Sequence, residues 1–203
     1  MSDTSSAPVP AVPAGGVNHK ARFIVKQRIT MMVNRYEIRE VNADGTDGTI
    51  IAMAQQKRLA FKEEVTFYED EARTKAVFSF KARNILDLAA IYDVFDASGV
   101  PIGYFQKDFA ASFFRSSFHL GGHGIDAYGQ ERNQVIAIIR KYVSDLPFTF
   151  HFDFTDKKTG QPVLSSERQF SLRDRYMVTV PDERLDFRLA AALAVGLDAL
   201  MQR

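Results

Sequence analysis

Apolar and polar positions in this chain follow two different rhythms. From Ala21 onward, short stretches alternate with a period of two, and near the end one stretch is apolar on every side. Alternation is clearest in Phe148-Thr-Phe-His-Phe-Asp-Phe-Thr155. Phe148, Phe150, Phe152 and Phe154 share one face, and Thr149, His151, Asp153 and Thr155 share the other. Such a pattern predicts a half-buried antiparallel strand. Turn signals recur at hairpin spacing, in Asn42-Ala-Asp-Gly45, Asp96-Ala-Ser-Gly99 and Asp156-Lys-Lys-Thr-Gly160. Between them the pattern predicts strands over 23–29, 35–41, 49–54, 64–68, 76–81, 91–95 and 101–107, then over 112–120, 148–155, 161–170 and 176–180. Regularly spaced short strands predict a sandwich or a barrel. In 133–143, Val135, Ile136, Ile139, Tyr142 and Val143 fit a helical stripe instead, and a short helix is expected there.

The all-round apolar stretch predicts a helix over 182–202. Leu185, Leu189, Leu193 and Leu200 line one face, while Ala191, Ala192, Ala194, Val195 and Leu197 fill the others. A helix without a polar face is buried on all sides. Its charges lie toward the ends, from Asp182 to Arg188 before the run and at Asp198 and Arg203 after it. A membrane span does not fit. The run 189–197 rises only about 13 Å, against a bilayer core of about 30 Å. Lengthening it would bury Asp186, Arg188 and Asp198 at roughly 2.5–3.5 kcal/mol each near the midplane. The strands offer one Phe-rich face and the helix needs burial all round. The expected fold is therefore mainly β (α+β), a closed antiparallel sheet wrapped around a buried C-terminal helix. Closure also removes the sheet edges. The alanines and Gly196 would keep the helix thin enough for the lumen.

Residues 1–20 are rich in Ser, Ala, Pro and Gly, without apolar periodicity, and are expected to form a disordered tail. Asp3, Pro8, Pro10 and Pro13 argue against a signal peptide. Residues 21–203 then make one domain, a natural size for a single core. The formal net charge of +1 gives no general attraction to nucleic acid, and no nucleic-acid partner is expected. With no cysteine, the chain forms no disulfide and no thiolate metal site, which fits a cytoplasmic protein.

Several segments resemble a known family. Tyr92-Asp93-Val94-Phe95-Asp96, continuing through Gly99 to Ile102-Gly103, is similar to a hairpin of the LURP-one-related and phospholipid-scramblase-like branch of the tubby C-terminal-like superfamily. Arg173-Asp174-Arg175-Tyr176, Asp182-Glu-Arg-Leu185, Phe67-Tyr68-Glu69-Asp70 and Phe78-Ser-Phe-Lys81 carry the same resemblance. It implies a twelve-stranded barrel around a hydrophobic C-terminal helix. Tubby-type members bind phosphoinositides and scramblase-type members are linked to lipid movement and calcium. No lipid-binding motif of the superfamily maps residue by residue onto this chain, and the cysteines that the scramblase branch palmitoylates are absent.

Candidate chemistry is sparse. His119 and His123 have i,i+4 spacing, but Gly121, Gly122 and Gly124 predict a hairpin loop and no third ligand is evident. Asp93, Asp96 and Gly99 lack the ligand density of a calcium loop. Ser165 and Ser166 lie in no nucleophile motif, and His151 on a polar strand face reads as a cross-strand partner. No catalytic residue, metal or cofactor is expected, and a hydrolase is the remote alternative. Basic pairs suit anion recognition better: Lys81 with Arg83, Arg140 with Lys141 and Lys157 with Lys158, besides Lys57-Arg58 and Lys62. The expected function is a non-catalytic module that meets anionic phospholipid head groups peripherally, at the inner membrane surface. The alternative is a scaffold domain with a protein partner and no lipid role.

Overall fold

The computed structural model describes residues 17–29, 33–57, 64–83, 91–108, 116–132, 151–169 and 175–201. Twelve strands follow in order: β1 Arg22–Ile29, β2 Val33–Val41, β3 Asp47–Lys57, β4 Val65–Tyr68, β5 Ala76–Ala82 and β6 Ile91–Asp96. Then come β7 Pro101–Asp108, β8 Ser117–Gly122, β9 Ile125–Glu131, β10 His151–Asp156, β11 Pro162–Gln169 and β12 Arg175–Thr179, with a helix, α1, at Phe187–Met201. Each strand pairs antiparallel with the next, and β12 pairs back onto β1, so the sheet is a closed barrel. This up-and-down order puts alternate connections at opposite ends. The turns β2–β3, β4–β5, β6–β7, β8–β9 and β10–β11 share one end, where the chain also enters α1.

Alternate strand residues point into the lumen, as the period-two pattern requires. Phe78 and Phe80 of β5, Tyr92 and Val94 of β6, and Phe152 and Phe154 of β10 belong to one core with the helix. Leu189, Ala191, Ala192, Leu193 and Val195 are fully buried on every side of α1. Size limits are severe there. A Cβ on Gly196 would stand 2.5 Å from Cε2 of Phe105. Phe105 cannot retreat, because its ring stacks on Tyr92 at 5.0 Å and meets Phe80 edge-on at 5.4 Å.

The helix starts later than the expected 182–202. Asp186 caps it: its Oδ1 accepts from the Arg188 amide at 2.8 Å, and its carbonyl accepts the first intrahelical bond from Ala190 at 3.0 Å. Residues 182–186 form the turn that leads in, and Leu185 is fully buried before the helix begins. Burial pushes the Asp186 carboxyl up, but the Arg188 guanidinium and the capping amides more than offset this and hold it below the usual range. Asn18 and His19 also dock at this end, through the Phe187 amide to the Asn18 carbonyl at 2.6 Å and through His19 Nε2 at 3.1 Å from the Val180 carbonyl.

Near the other end of α1 a carboxylate lies inside the lumen. Asp198 is buried and accepts from the Tyr36 hydroxyl at 3.1 Å and from the Tyr176 hydroxyl. Gln27 Nε2 donates to the Tyr36 oxygen at 3.2 Å. The charge expected to sit outside the apolar run is thus inside the barrel, where two tyrosine hydroxyls donate to it.

The pattern did not predict β9. Its inward positions include Ala127 and Gly129, and a Cβ on Gly129 would stand 2.3 Å from the Phe154 ring. Small inward residues leave room for that ring and erase the apolar alternation. In the Phe118–Gly124 stretch, Gly121 and Gly122 extend β8 and only His123-Gly124 form the turn, both with positive φ. The expected helix at 133–143, and Phe148 and Phe150, lie outside the described residues.

Two experiments test this packing. Gly196→Ala gains about 1 kcal/mol of helix propensity but overpacks Phe105, at about 1–3 kcal/mol. A net loss of up to about 2 kcal/mol is expected in urea unfolding, with Phe105→Leu in the same chain recovering part of it. Asp156 ties the β10–β11 turn to the helix approach. Its Oδ1 accepts from the Thr159 and Lys158 amides at 3.0 and 2.9 Å, and its Oδ2 from Arg184 Nη2 at 2.9 Å. These bonds hold its carboxyl down, to about 2. A depressed carboxyl stabilises the fold above its unfolded value of about 3.9. The stability gap between wild type and Asp156→Asn, read as urea midpoint against pH, should be full above about pH 4 and close as pH falls toward 2. A pH-independent gap would contradict the assignment.

Candidate anion-binding surface

The lumen holds α1 and its contacts, which leaves the outer wall as the surface to search. The basic residues singled out by sequence do not form one surface there. Lys81 and Arg83 lie at the finishing end of β5, whereas Lys157 and Lys158 lie in the β10–β11 turn at the opposite end. Arg83 is bound to Asp93 by two hydrogen bonds of 2.8 and 2.6 Å, and this carboxylate raises its pKa. Lys157 Nζ is 2.7 Å from Asp126. Lys81 holds its ammonium 5.1 Å above the Phe95 ring. Lys158 is exposed, and Arg140, Lys141, Arg58 and Lys62 lie outside the described residues.

The other candidates occupy ordinary structural positions. His119 Nε2 is 3.6 Å from Asp108 and its ring packs near Tyr128, while His123 occupies the β8–β9 turn. Asp96 shapes its turn by accepting from the Ser98 and Val100 amides, both at 2.9 Å. Among the described residues, no three His, Asp or Glu side chains gather around a common point.

A stronger concentration of charge lies on the outer face of β12, β1 and β2. On these strands Phe23, Val25, Tyr36, Ile38, Tyr176 and Val178 point into the core. The alternate positions point outward: Arg22, Lys26 and Arg28 on β1, Arg35 and Arg39 on β2, and Arg175 on β12. Two carboxylates share this face. Glu37 is buried between Arg28 at 2.8 Å and Arg39 at 2.7 Å. Asp47 contacts Lys26 at 2.5 Å and Arg175 at 2.9 Å. Burial pushes the Asp47 carboxyl up, but these two cations more than offset it and hold it below the usual range. At the rim, Lys20 and Glu40 neutralise each other at 3.1 Å.

Asp47 reaches this face because the β2–β3 hairpin bends. Register shifts at Ile38/Arg39 and Arg39/Val41 turn its tip back across β1 and β12, where Arg175 Nη2 also donates to the Gly45 carbonyl at 3.1 Å. Ile24 and Met177, paired across β1 and β12 on the outward side, are consequently buried. Among the described residues six cations on these strands face Glu37 and Asp47, and the hydrogen bond of Arg22 goes to the Met177 sulfur, at 4.0 Å. Contiguous basic pairs gave no hint of this surface. Its signal is basic residues at every second position of neighbouring strands.

Where this face meets the β4–β5 turn there is a cleft, lined by Arg35, Met53, Ala54, Gln55, Glu71 and Arg73. Arg35 and Gln55 stand opposite each other on β2 and β3. Neither the Arg35 nor the Arg73 guanidinium has a hydrogen-bond or ion-pair partner among the described residues. A profile of the LURP-one-related family matches residues 50–198, from within β3 to within α1. Comparison with curated proteins found no match, and comparison with solved structures found none.

Proposed function

The chain belongs to the LURP-one-related family, within the tubby-like superfamily, and from that premise we propose a non-catalytic binding module that recognises anionic phospholipid head groups at a membrane surface. Family membership favours a binding domain over an enzyme, and α1 occupies the lumen where an interior chamber would lie. The observation that carries the lipid reading is the outer face of β12, β1 and β2. Among the described residues, six cations against two carboxylates leave a surplus of four there, on a chain whose net charge is only +1. Near an anionic leaflet each surplus cation contributes about 1 kcal/mol. Four give on the order of 4 kcal/mol, a dissociation constant near 1 mM, which describes a reversible peripheral contact. No helix among the described residues is long and apolar enough to cross a membrane, so the contact does not require one of them to insert.

Vesicle flotation tests this. The protein is expected to float with anionic vesicles and not with neutral ones, and to be released by salt, since the attraction is screened beyond about 8–10 Å at physiological ionic strength. Arg22→Glu changes the face by two charges and should weaken binding by on the order of thirtyfold. Lys158→Glu, in the β10–β11 turn, should leave it near wild type. No flotation with any vesicle would leave the scaffold reading, with a protein partner, in its place. Loss with Lys158→Glu alone would move the contact to the β10–β11 turn.

A further inference from the structure

We infer that the cleft between Arg35 and Arg73 binds a phosphate monoester, the head-group chemistry that offers three free oxygens rather than two. The lipid as source of that phosphate rests on the membrane reading above; the chemistry of the cleft does not. Two features of Arg73 point to a ligand. Its φ is 55°, a left-handed conformation that favours glycine, held by bonds from its amide to the Asp70 carbonyl at 3.2 Å and to Asp70 Oδ1 at 3.0 Å. Backbone strain of this kind concentrates at binding sites. Its guanidinium is nevertheless unpartnered among the described residues, as is that of Arg35.

Four other guanidinium groups among the described residues are engaged. Arg83, Arg132, Arg184 and Arg188 each hold a carboxylate through two nitrogens. Two unengaged forks on one cleft can each grip a pair of phosphate oxygens. Gln55 adds an amide, and Met53, largely buried on the outward side, adds an apolar wall. Glu71 also lines the cleft, so its two guanidinium groups stand against one carboxylate.

The full chain is titrated with glycerol 3-phosphate by calorimetry. In parallel it is floated with phosphatidylcholine vesicles containing phosphatidic acid or phosphatidylglycerol, matched in surface potential. Arg73→Gly removes the guanidinium while suiting the left-handed backbone, Arg35→Gln removes the other, and thermal melting confirms that both fold. Glycerol 3-phosphate is expected to bind wild type and to bind each variant at least about tenfold more weakly. Phosphatidic acid is expected to be preferred by wild type, with the preference lost in both variants. Arg22→Gln should lower binding to both lipids and keep the preference. Equal flotation with the two lipids, lowered alike by all three substitutions, would overturn the cleft and leave the membrane reading standing. Glycerol 3-phosphate binding that needs Arg35 and Arg73, without any flotation, would keep the cleft as a site for a soluble phosphate ester and remove the membrane reading. No binding in either arm would overturn both.

Discussion

The structure depends on fitting a helix into a closed sheet. An α-helix with side chains is about 10–12 Å across, and here it must fit among inward phenylalanines. The two sides share the space by size. Alanines at 190–192 and 194 and Gly196 keep the helix narrow, and Phe105 occupies the space that Gly196 leaves free. Leu189, Leu193, Val195 and Leu197 each contribute about 1.5–3 kcal/mol by burial, as an upper figure. Such a greasy rod in a greasy tube has little to fix its height or rotation. Asp198 supplies that. Its carboxylate meets Tyr36 and Tyr176 in one register only, and a slide of one turn would leave the charge among apolar groups.

Filling the lumen leaves the outer wall as the accessible surface. There the bent β2–β3 hairpin does two things at once. It covers Ile24 and Met177, which would otherwise form an exposed apolar pair, and it brings Asp47 between Lys26 and Arg175. The cations on β1, β12 and β2 are thereby held in place without being fully neutralised. An organised basic surface differs from a diffuse one in that its side chains lose less freedom when an anion arrives.

How much of this was legible follows from the physics of each signal. The strands rich in Phe, Val and Ile stood out, as did the all-round apolar helix, because alternation and its absence are read from single residues. β9 was hidden because Ala127 and Gly129 make room for Phe154, which only the neighbouring strand reveals. The helix start was shifted because Leu185 is buried without being helical, and burial says nothing about backbone. The basic face was missed for a geometric reason. Neighbouring residues in a strand point to opposite sides, so a surface there grows from alternate positions across several strands. Arg73 could not have been singled out, since neither its conformation nor its nearness to Arg35 is written locally.

The order of elements carries one last consequence. α1 follows all twelve strands, so on the ribosome the plug is made after the tube it fills. The hairpins can pair as they emerge, but closure by β12 on β1 and burial of the inward phenylalanines both wait for the last part of the domain. Until then the nascent chain presents an unfilled Phe-lined sheet to its surroundings. Its dependence on chaperones should therefore be set by the time between synthesis of β5 and release of α1 from the exit tunnel, more than by the stability of the finished barrel.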